Sequence, residues 1–254
     1  MHHAMLLEGL RQSALNIIGK EEKVAIAYSG GIDSSIIAAL ADEMADVKCY
    51  CAAVPRSHDA RTVRASADGE GRALEFIEIS DRDLRQLAIQ ASALVEGSKP
   101  VPIAYTIPLM AVMGAALERV ILAGNGADEL FGGYAKYLAS SDLLKDMETD
   151  LEKAMSEAER VKRYSLERGK TFGFPFLSEQ VLELARSMPM EEKIRGPSRK
   201  LVLKKVAREL GLPSEHRPKK AAQYSSGVLK RMGKLAKAEG VSIEDWCASL
   251  RRSD

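Results

Sequence analysis

The apolar run Val24-Ala25-Ile26-Ala27 passes directly into Tyr28-Ser29-Gly30-Gly31-Ile32-Asp33-Ser34-Ser35, and from there into Ile36, Ile37, Ala38, Ala39 and Leu40. A continuous apolar run is the signature of a strand buried on both faces, which belongs in a parallel sheet covered by helices. The glycine turn then delivers the chain into a helix whose first N–H groups are unpaired, an arrangement that suits an anion. Gly30 and Gly31 let backbone amides converge, and Ser29, Ser34 and Ser35 add hydroxyl donors. No lysine follows the glycines, as the common triphosphate loop requires. Asp33 stands inside the loop instead. It would repel a phosphate unless a cation lay between them, so the loop predicts Mg2+ held by a carboxylate against a pyrophosphate portion.

A second segment repeats the logic. Residues 120–123 read as a strand, followed by Gly124-Asn125-Gly126-Ala127-Asp128-Glu129-Leu130-Phe131-Gly132-Gly133-Tyr134. Asp128 is the expected second metal ligand. Glu129 either assists it or stabilises the start of the helix. Gly132 and Gly133 within a helical run cost stability and imply close packing or a needed break.

Between and after these loops the pattern divides the chain. Residues 1–20 read as an amphipathic helix, with Leu6, Leu7, Leu10, Ala14, Leu15 and Ile18 at helical spacing. Strands are predicted at 24–28, 47–54, 74–79 and 120–123, and helices at 33–45, 59–69, 81–95, 107–117 and 128–139. A Gly/Ser/Pro break is expected at 97–102. Beyond about residue 141 the strand signal fades. Helices are expected at 143–167, 179–186, 198–210, 227–238 and 242–250, with 172–177 as an aromatic turn. Ser198 is the expected cap of the 198–210 helix, whose apolar stripe is read as Leu201, Val202, Lys205, Val206 and Leu210. The expectation is an α/β nucleotide-binding part over 1–141 and a helical part over 142–254 that completes the cleft. The sheet is expected to be open and parallel, with helices on both faces.

The length of 254 residues allows one large domain or two modest ones. Apolar stretches such as 101–113 are broken by prolines or too short to span a bilayer, and Met1-His2-His3 does not open a secretory signal, so a cytoplasmic protein without membrane partners is expected. Of three cysteines, Cys49 and Cys51 sit two apart on one strand, and no CxxC occurs, which predicts small buried side chains rather than zinc or sulfur-transfer chemistry. Charge is uneven: 21 basic against 30 acidic residues up to residue 192, then 14 against 2 from 193 to 237. The basic stretch suits a polyanion, either triphosphate and pyrophosphate or RNA.

The segment Ser29–Ser34 matches the Ser-Gly-Gly-x-Asp-Ser fingerprint of the ATP-pyrophosphatase (PP-loop) superfamily. The chain further resembles the synthetase domain of glutamine-dependent asparagine synthetase in Gly124–Tyr134, in Ile107-Pro108-Leu109, in Pro175-Phe176-Leu177, and in Arg217-x-Lys219 after Leu212-Pro213. The resemblance spans roughly residues 20–235, and β-lactam synthetase shares the same domain. It implies an adenine nucleotide alpha hydrolase-like fold, with ATP and Mg2+ as cofactors. It implies activation of a carboxylate at the α-phosphorus, an acyl-adenylate, release of pyrophosphate, and displacement of AMP by an amine. By resemblance, Ser29, Gly30, Gly31, Asp33, Ser34 and Ser35 hold pyrophosphate and Mg2+, and Asp128 completes the metal site. Lys219 contacts the α-phosphate, with Lys220 a lesser candidate, and Arg163 lies near the phosphates. Backbone groups of Ala52 or Ala53 line the adenine, and Gly124 passes under the ribose.

Departures from the resemblance fall on the acid-substrate side. Asn125 replaces the glutamate of Gly-Glu-Gly. Thr171-Phe172-Gly173-Phe174 replaces Glu-x-Arg-x, and Ser178 replaces an Asp. Because the chain reaches the ATP strand by residue 24, no glutaminase part is expected within it. Nitrogen would come from free ammonia, a separate glutaminase subunit or another amine. Three functions stay open: an asparagine-synthetase-type amide ligase acting on a small carboxylate; an adenylating enzyme that modifies tRNA or a cofactor; and a non-catalytic ATP-binding module.

Overall fold

A computed structural model describes residues 1–213 and 225–252. In chain order the elements are α1 (His2–Ile18), β1 (Lys23–Ala27), α2 (Ile32–Asp42), β2 (Asp46–Ala53), α3 (His58–Gly69), β3 (Leu74–Glu78), α4 (Asp81–Leu94), α5 (Pro100–Ala115), β4 (Val120–Ala123) and α6 (Ala127–Phe131). They continue with α7 (Leu143–Leu166), β5 (Thr171–Gly173), α8 (Glu179–Ser187), α9 (Met190–Lys193), α10 (Leu201–Glu209), α11 (Val228–Ala238) and α12 (Ile243–Ser249). The five strands form one open sheet in the order β3-β2-β1-β4-β5. The described pairings are all parallel. Helices flank this sheet and a helical region follows it, which is the expected fold class.

Chain contacts separate two compact units, Met1–Lys48 with Glu118–Arg217, and Cys49–Leu117 with Pro218–Asp254. In the first, β1 and β4 are buried along their centres, and Val24, Ala25, Ile26 and Ala27 pair with Val120, Ile121, Leu122 and Ala123. That register ends both strands at the same level, so the two glycine loops leave the sheet side by side. Helix α1 packs on α2, α8 and α10 through Leu6, Leu10, Ala14 and Ile18. In the second unit β2 pairs with β3, α4 packs on α5, and α11 packs on both. Cys49 and Cys51 are buried in β2 and Cys247 in α12, none of them in a disulfide.

Five local expectations are corrected. Residues 171–173 form a fifth strand beside β4, not part of a turn; three residues are too few to show a period. The helix expected from 107 begins at Pro100, since prolines at 100 and 102 fall in the first turn, where the missing N–H costs nothing. The helix expected over 128–139 is cut at Gly132, which takes a left-handed conformation (φ 68°), and resumes as a 3-10 turn at Ala135–Ala139. Ser198 does not cap α10: its backbone bridges to Arg195, and the helix starts after Lys200. The buried stripe of α10 is Val202, Leu203, Val206 and Ala207; Lys205 is exposed and Leu201 and Leu210 half-buried.

Candidate active site

The loop after β1 is organised by its own serines. Ser34, at 4% exposure, donates its hydroxyl to the Gly31 carbonyl at 3.0 Å and accepts from the Ser29 N–H at 3.2 Å. The Ser29 and Ser34 hydroxyls lie 3.2 Å apart, and the Gly31 N–H donates to the Ser29 hydroxyl. Gly30 needs its positive φ of 72° to make the turn. Ser35 is fully buried one residue on. The result is a short cradle of amides and hydroxyls ahead of α2, with Ser29 exposed at its rim.

The loop after β4 closes directly on the first. A Cβ added at Gly124 would lie 2.9 Å from the Asp33 Cβ and 3.2 Å from the Ser34 nitrogen, so only glycine fits there. One turn later Asp128 presents its carboxylate to the same spot. Between the two aspartates lies the ammonium of Lys200, 2.6 Å from each oxygen of Asp33 and 2.8 Å from Asp128 Oδ1. All three side chains are largely buried, at 5%, 15% and 18% exposure for Lys200, Asp33 and Asp128. Lys200 reaches this position from a left-handed backbone (φ 54°), rare for a residue with a side chain. The neighbouring Arg199 guanidinium donates to the Gly133 carbonyl.

Lys200 is the residue that sequence reasoning missed. It was one lysine in a basic stretch, 167 positions from Asp33. No local signal marks it: Lys200 precedes α10 in a left-handed conformation, outside the helical spacing of Val202, Leu203, Val206 and Ala207.

Glu129 is turned to a different task. It is 9% exposed, and the Tyr134 hydroxyl donates to its Oε1 at 2.6 Å. Burial, followed by the nearby Asp128 charge, pushes its carboxyl up to about 7. Burial and the same carboxylates hold the Tyr134 phenol above its ordinary value.

The structure thus brings together Ser29, Gly30, Gly31, Asp33, Ser34, Ser35, Gly124 and Asp128. Arg163 is exposed near the end of α7 and takes no part in the Asp33–Lys200–Asp128 contacts. Ala52 and Ala53 end β2 in the other compact unit, buried, with the Ala53 carbonyl accepting from Ile79 N–H. Lys219, Lys220 and Arg217 lie outside the described residues. On the divergent side, Asn125 is exposed. A Cβ at Gly173 would fall 2.4 Å from Ile17 of α1. The Ser178 hydroxyl is buried without a hydrogen-bond partner among the described residues.

Two carboxylates from adjacent loops, aimed at one positive centre, are a hard-oxygen donor pair. Mg2+ is commonly held by one or two protein carboxylates and completes its octahedron with water and phosphate oxygens. Among the described residues no group of three or more His, Cys, Asp or Glu gathers as a self-sufficient metal site. The pair therefore suits a cation that arrives with phosphate ligands. No described helix is long and apolar enough to cross a membrane.

Comparison with known proteins places these residues in company. The asparagine synthase family model matches residues 6–172 and 144–251. A protein of Methanocaldococcus jannaschii, named as a candidate glutamine-hydrolysing asparagine synthetase, is 30% identical over 96% of this chain and 53% of its own length. Asparagine synthetase domain-containing protein 1 of Mus musculus is 37% identical over 52% of this chain and 22% of its own. The chain therefore spans about half of the first relative and about a fifth of the second. The solved NMN synthetase of Francisella tularensis superposes over 98% of this chain and 85% of its own, with TM-score 0.46 and 12% identity.

Proposed function

The chain belongs to the asparagine synthase family, and on that premise we propose that it is an ATP-dependent amide ligase forming AMP and pyrophosphate. A carboxylate oxygen of the substrate, aspartate being the first to test, bonds to the α-phosphorus of ATP while the bond to the β-phosphate oxygen breaks. Ammonia or another amine then attacks the acyl carbon, loses a proton, and expels AMP. The observation that carries this reading is the convergence of Asp33 and Asp128 on a single cation position beside the serine-glycine cradle.

In this scheme the amides of Gly30 and Gly31 and the hydroxyls of Ser29, Ser34 and Ser35 hold the departing pyrophosphate. Asp33 and Asp128 hold Mg2+, which supplies positive charge to the phosphate oxygens when bound. Lys200, whose ammonium stands between the two aspartates, is proposed to add its charge to the same phosphate oxygens. Ala52 and Ala53 are proposed for adenine and Gly124 for the ribose. Lys219 and Arg163 are proposed for the α-phosphate and its neighbours on resemblance alone. Asn125 is exposed and Ile17 packs over Gly173, so neither position carries the glutamate or arginine charge of the related enzymes.

Pyrophosphate release from ATP and Mg2+, assayed with a panel of carboxylates plus ammonia, tests the proposal. Carboxylate-dependent formation of AMP and an amide is expected, and aspartate-dependent formation of asparagine would name the substrate. Release that depends on RNA would replace this reading with RNA modification. ATP binding with no release under any condition would replace it with a regulatory module.

A further inference from the structure

Glu129 has no task in the scheme above, yet it is a buried carboxyl one residue from Asp128 with a full hydrogen bond to Tyr134. The pair spans a turn that does something specific. Helix α6 stops at Gly132, and the Gly133 N–H returns to the Asp128 carbonyl at 2.7 Å. This folds the Gly133 main chain back over the site. A Cβ at 133 would stand 1.7 Å from Asp128 Oδ1 and 2.3 Å from the Lys200 Cε. Gly133 is thus in contact with both the carboxylate and the lysine stem, and its carbonyl takes the Arg199 guanidinium.

We propose that Glu129 and Tyr134 are positioning residues, whose hydrogen bond closes the Gly132–Gly133 turn and so seats Gly133 as the stop that sets where the Asp128 carboxylate and the Lys200 ammonium stand. The inference rests on the reading of Asp128 as a metal ligand. It assigns Glu129 to the turn rather than to the metal, its Oε1 being the acceptor of the Tyr134 hydroxyl. The Gly133 N–H bond to the Asp128 carbonyl and the Arg199 contact hold Gly133 from the main chain, and the Glu129–Tyr134 bond is the side-chain tie across the same turn. The Tyr134 ring is held independently, by Tyr137 at 5.5 Å between centroids and by Lys136 at 5.6 Å. Loss of the hydroxyl alone therefore removes this tie without unseating the ring.

The test is Mn2+ binding in the presence of pyrophosphate, followed by electron paramagnetic resonance, alongside the Mg2+ dependence of pyrophosphate release. Outer partners of metal ligands typically influence affinity by about 10–100-fold, and Tyr134→Phe is expected to weaken Mn2+ binding about tenfold. The Mg2+ concentration that gives half-maximal pyrophosphate release should rise by a similar factor. Glu129→Gln still offers an oxygen to Tyr134 and should bind within about twofold of wild type. Glu129→Leu breaks the bond from the other side and should match Tyr134→Phe, which covers the case in which either variant fails to fold. Unchanged Mn2+ affinity in both Tyr134→Phe and Glu129→Leu would overturn the inference. So would a loss in Glu129→Gln as large as in Asp128→Ala, because Glu129 would then be a ligand. Wild-type protein that binds no Mn2+ with pyrophosphate would overturn the metal reading itself, and this inference with it.

Discussion

The two glycine loops stand next to each other at the ends of β1 and β4, and they use glycine for opposite purposes. In the first, a Cβ at Gly31 would meet nothing nearer than the Ser29 hydroxyl at 3.3 Å. Apart from that hydroxyl, no protein atom stands within 4 Å. In the second, a Cβ at Gly124 meets Asp33, one at Gly126 meets Leu177, and one at Gly133 meets Asp128 and Lys200. The space is already filled by the protein. One loop is an open cradle held by its own serines; the other is a packed wedge that delivers a carboxylate. Substitutions should therefore separate binding from stability according to the loop they strike.

The largest effect belongs to Asp33→Ala. Loss of a charge-organising group at a phosphoryl site costs about 100- to 1,000-fold in turnover, read as steady-state pyrophosphate release. Stability should fall less than in the lysine variant below, since Lys200 keeps Asp128 as a partner. Normal turnover would end the metal assignment; a collapsed fold would mean the cradle also carries the structure.

Next is Lys200→Met, which removes the ion that joins the loops. Two carboxylates would then face each other uncompensated, and breaking a buried pair of this kind costs about 3 kcal/mol. Urea unfolding in chelator should show that loss, and millimolar Mg2+ with pyrophosphate should recover part of it. No recovery would separate the lysine position from the metal position.

The cradle was legible in the sequence because everything that makes it is local. Strand, glycines, serines, aspartate and helix follow one another within residues 24–40. The wedge was legible only in part. Its strand and Asp128 stand out, but Gly132 and Gly133 are explained by Ile194 and Lys200, which arrive from more than 60 residues away. Lys200 itself is fixed by backbone geometry and by partners that no local pattern names. β5 was missed for a related reason: its three residues are a strand because β4 lies beside them, and Thr171 N–H finds Arg119 O. Ser198 looked like a cap because composition favours serine there, but its backbone was already committed to Arg195.

A third substitution sharpens the wedge. Gly126 sits at φ 94°, and the Leu177 Cδ2 lies 2.4 Å from where an alanine methyl would stand. An alanine there combines left-handed strain with overpacking, about 2–3 kcal/mol in all, measurable by urea denaturation. A loss below about 1 kcal/mol would mean that Leu177 yields easily and that the wedge is no tighter than the cradle.

The smallest effect is the most discriminating. Gly31 caps α2 from an extended conformation (φ −87°, ψ 161°) that any residue adopts. Alanine should therefore fold there, losing less than about 1 kcal/mol as a poorer cap than glycine. Its methyl, however, would project toward the Ser29 hydroxyl and crowd the amides that the scheme assigns to pyrophosphate. Affinity for pyrophosphate, by isothermal titration, should fall about tenfold, equivalent to about 1.4 kcal/mol. Stability lost without affinity would make the first loop another packed turn, and the contrast between the loops would disappear. Affinity lost with stability kept would show that the empty space over Gly31 is where the ligand lies.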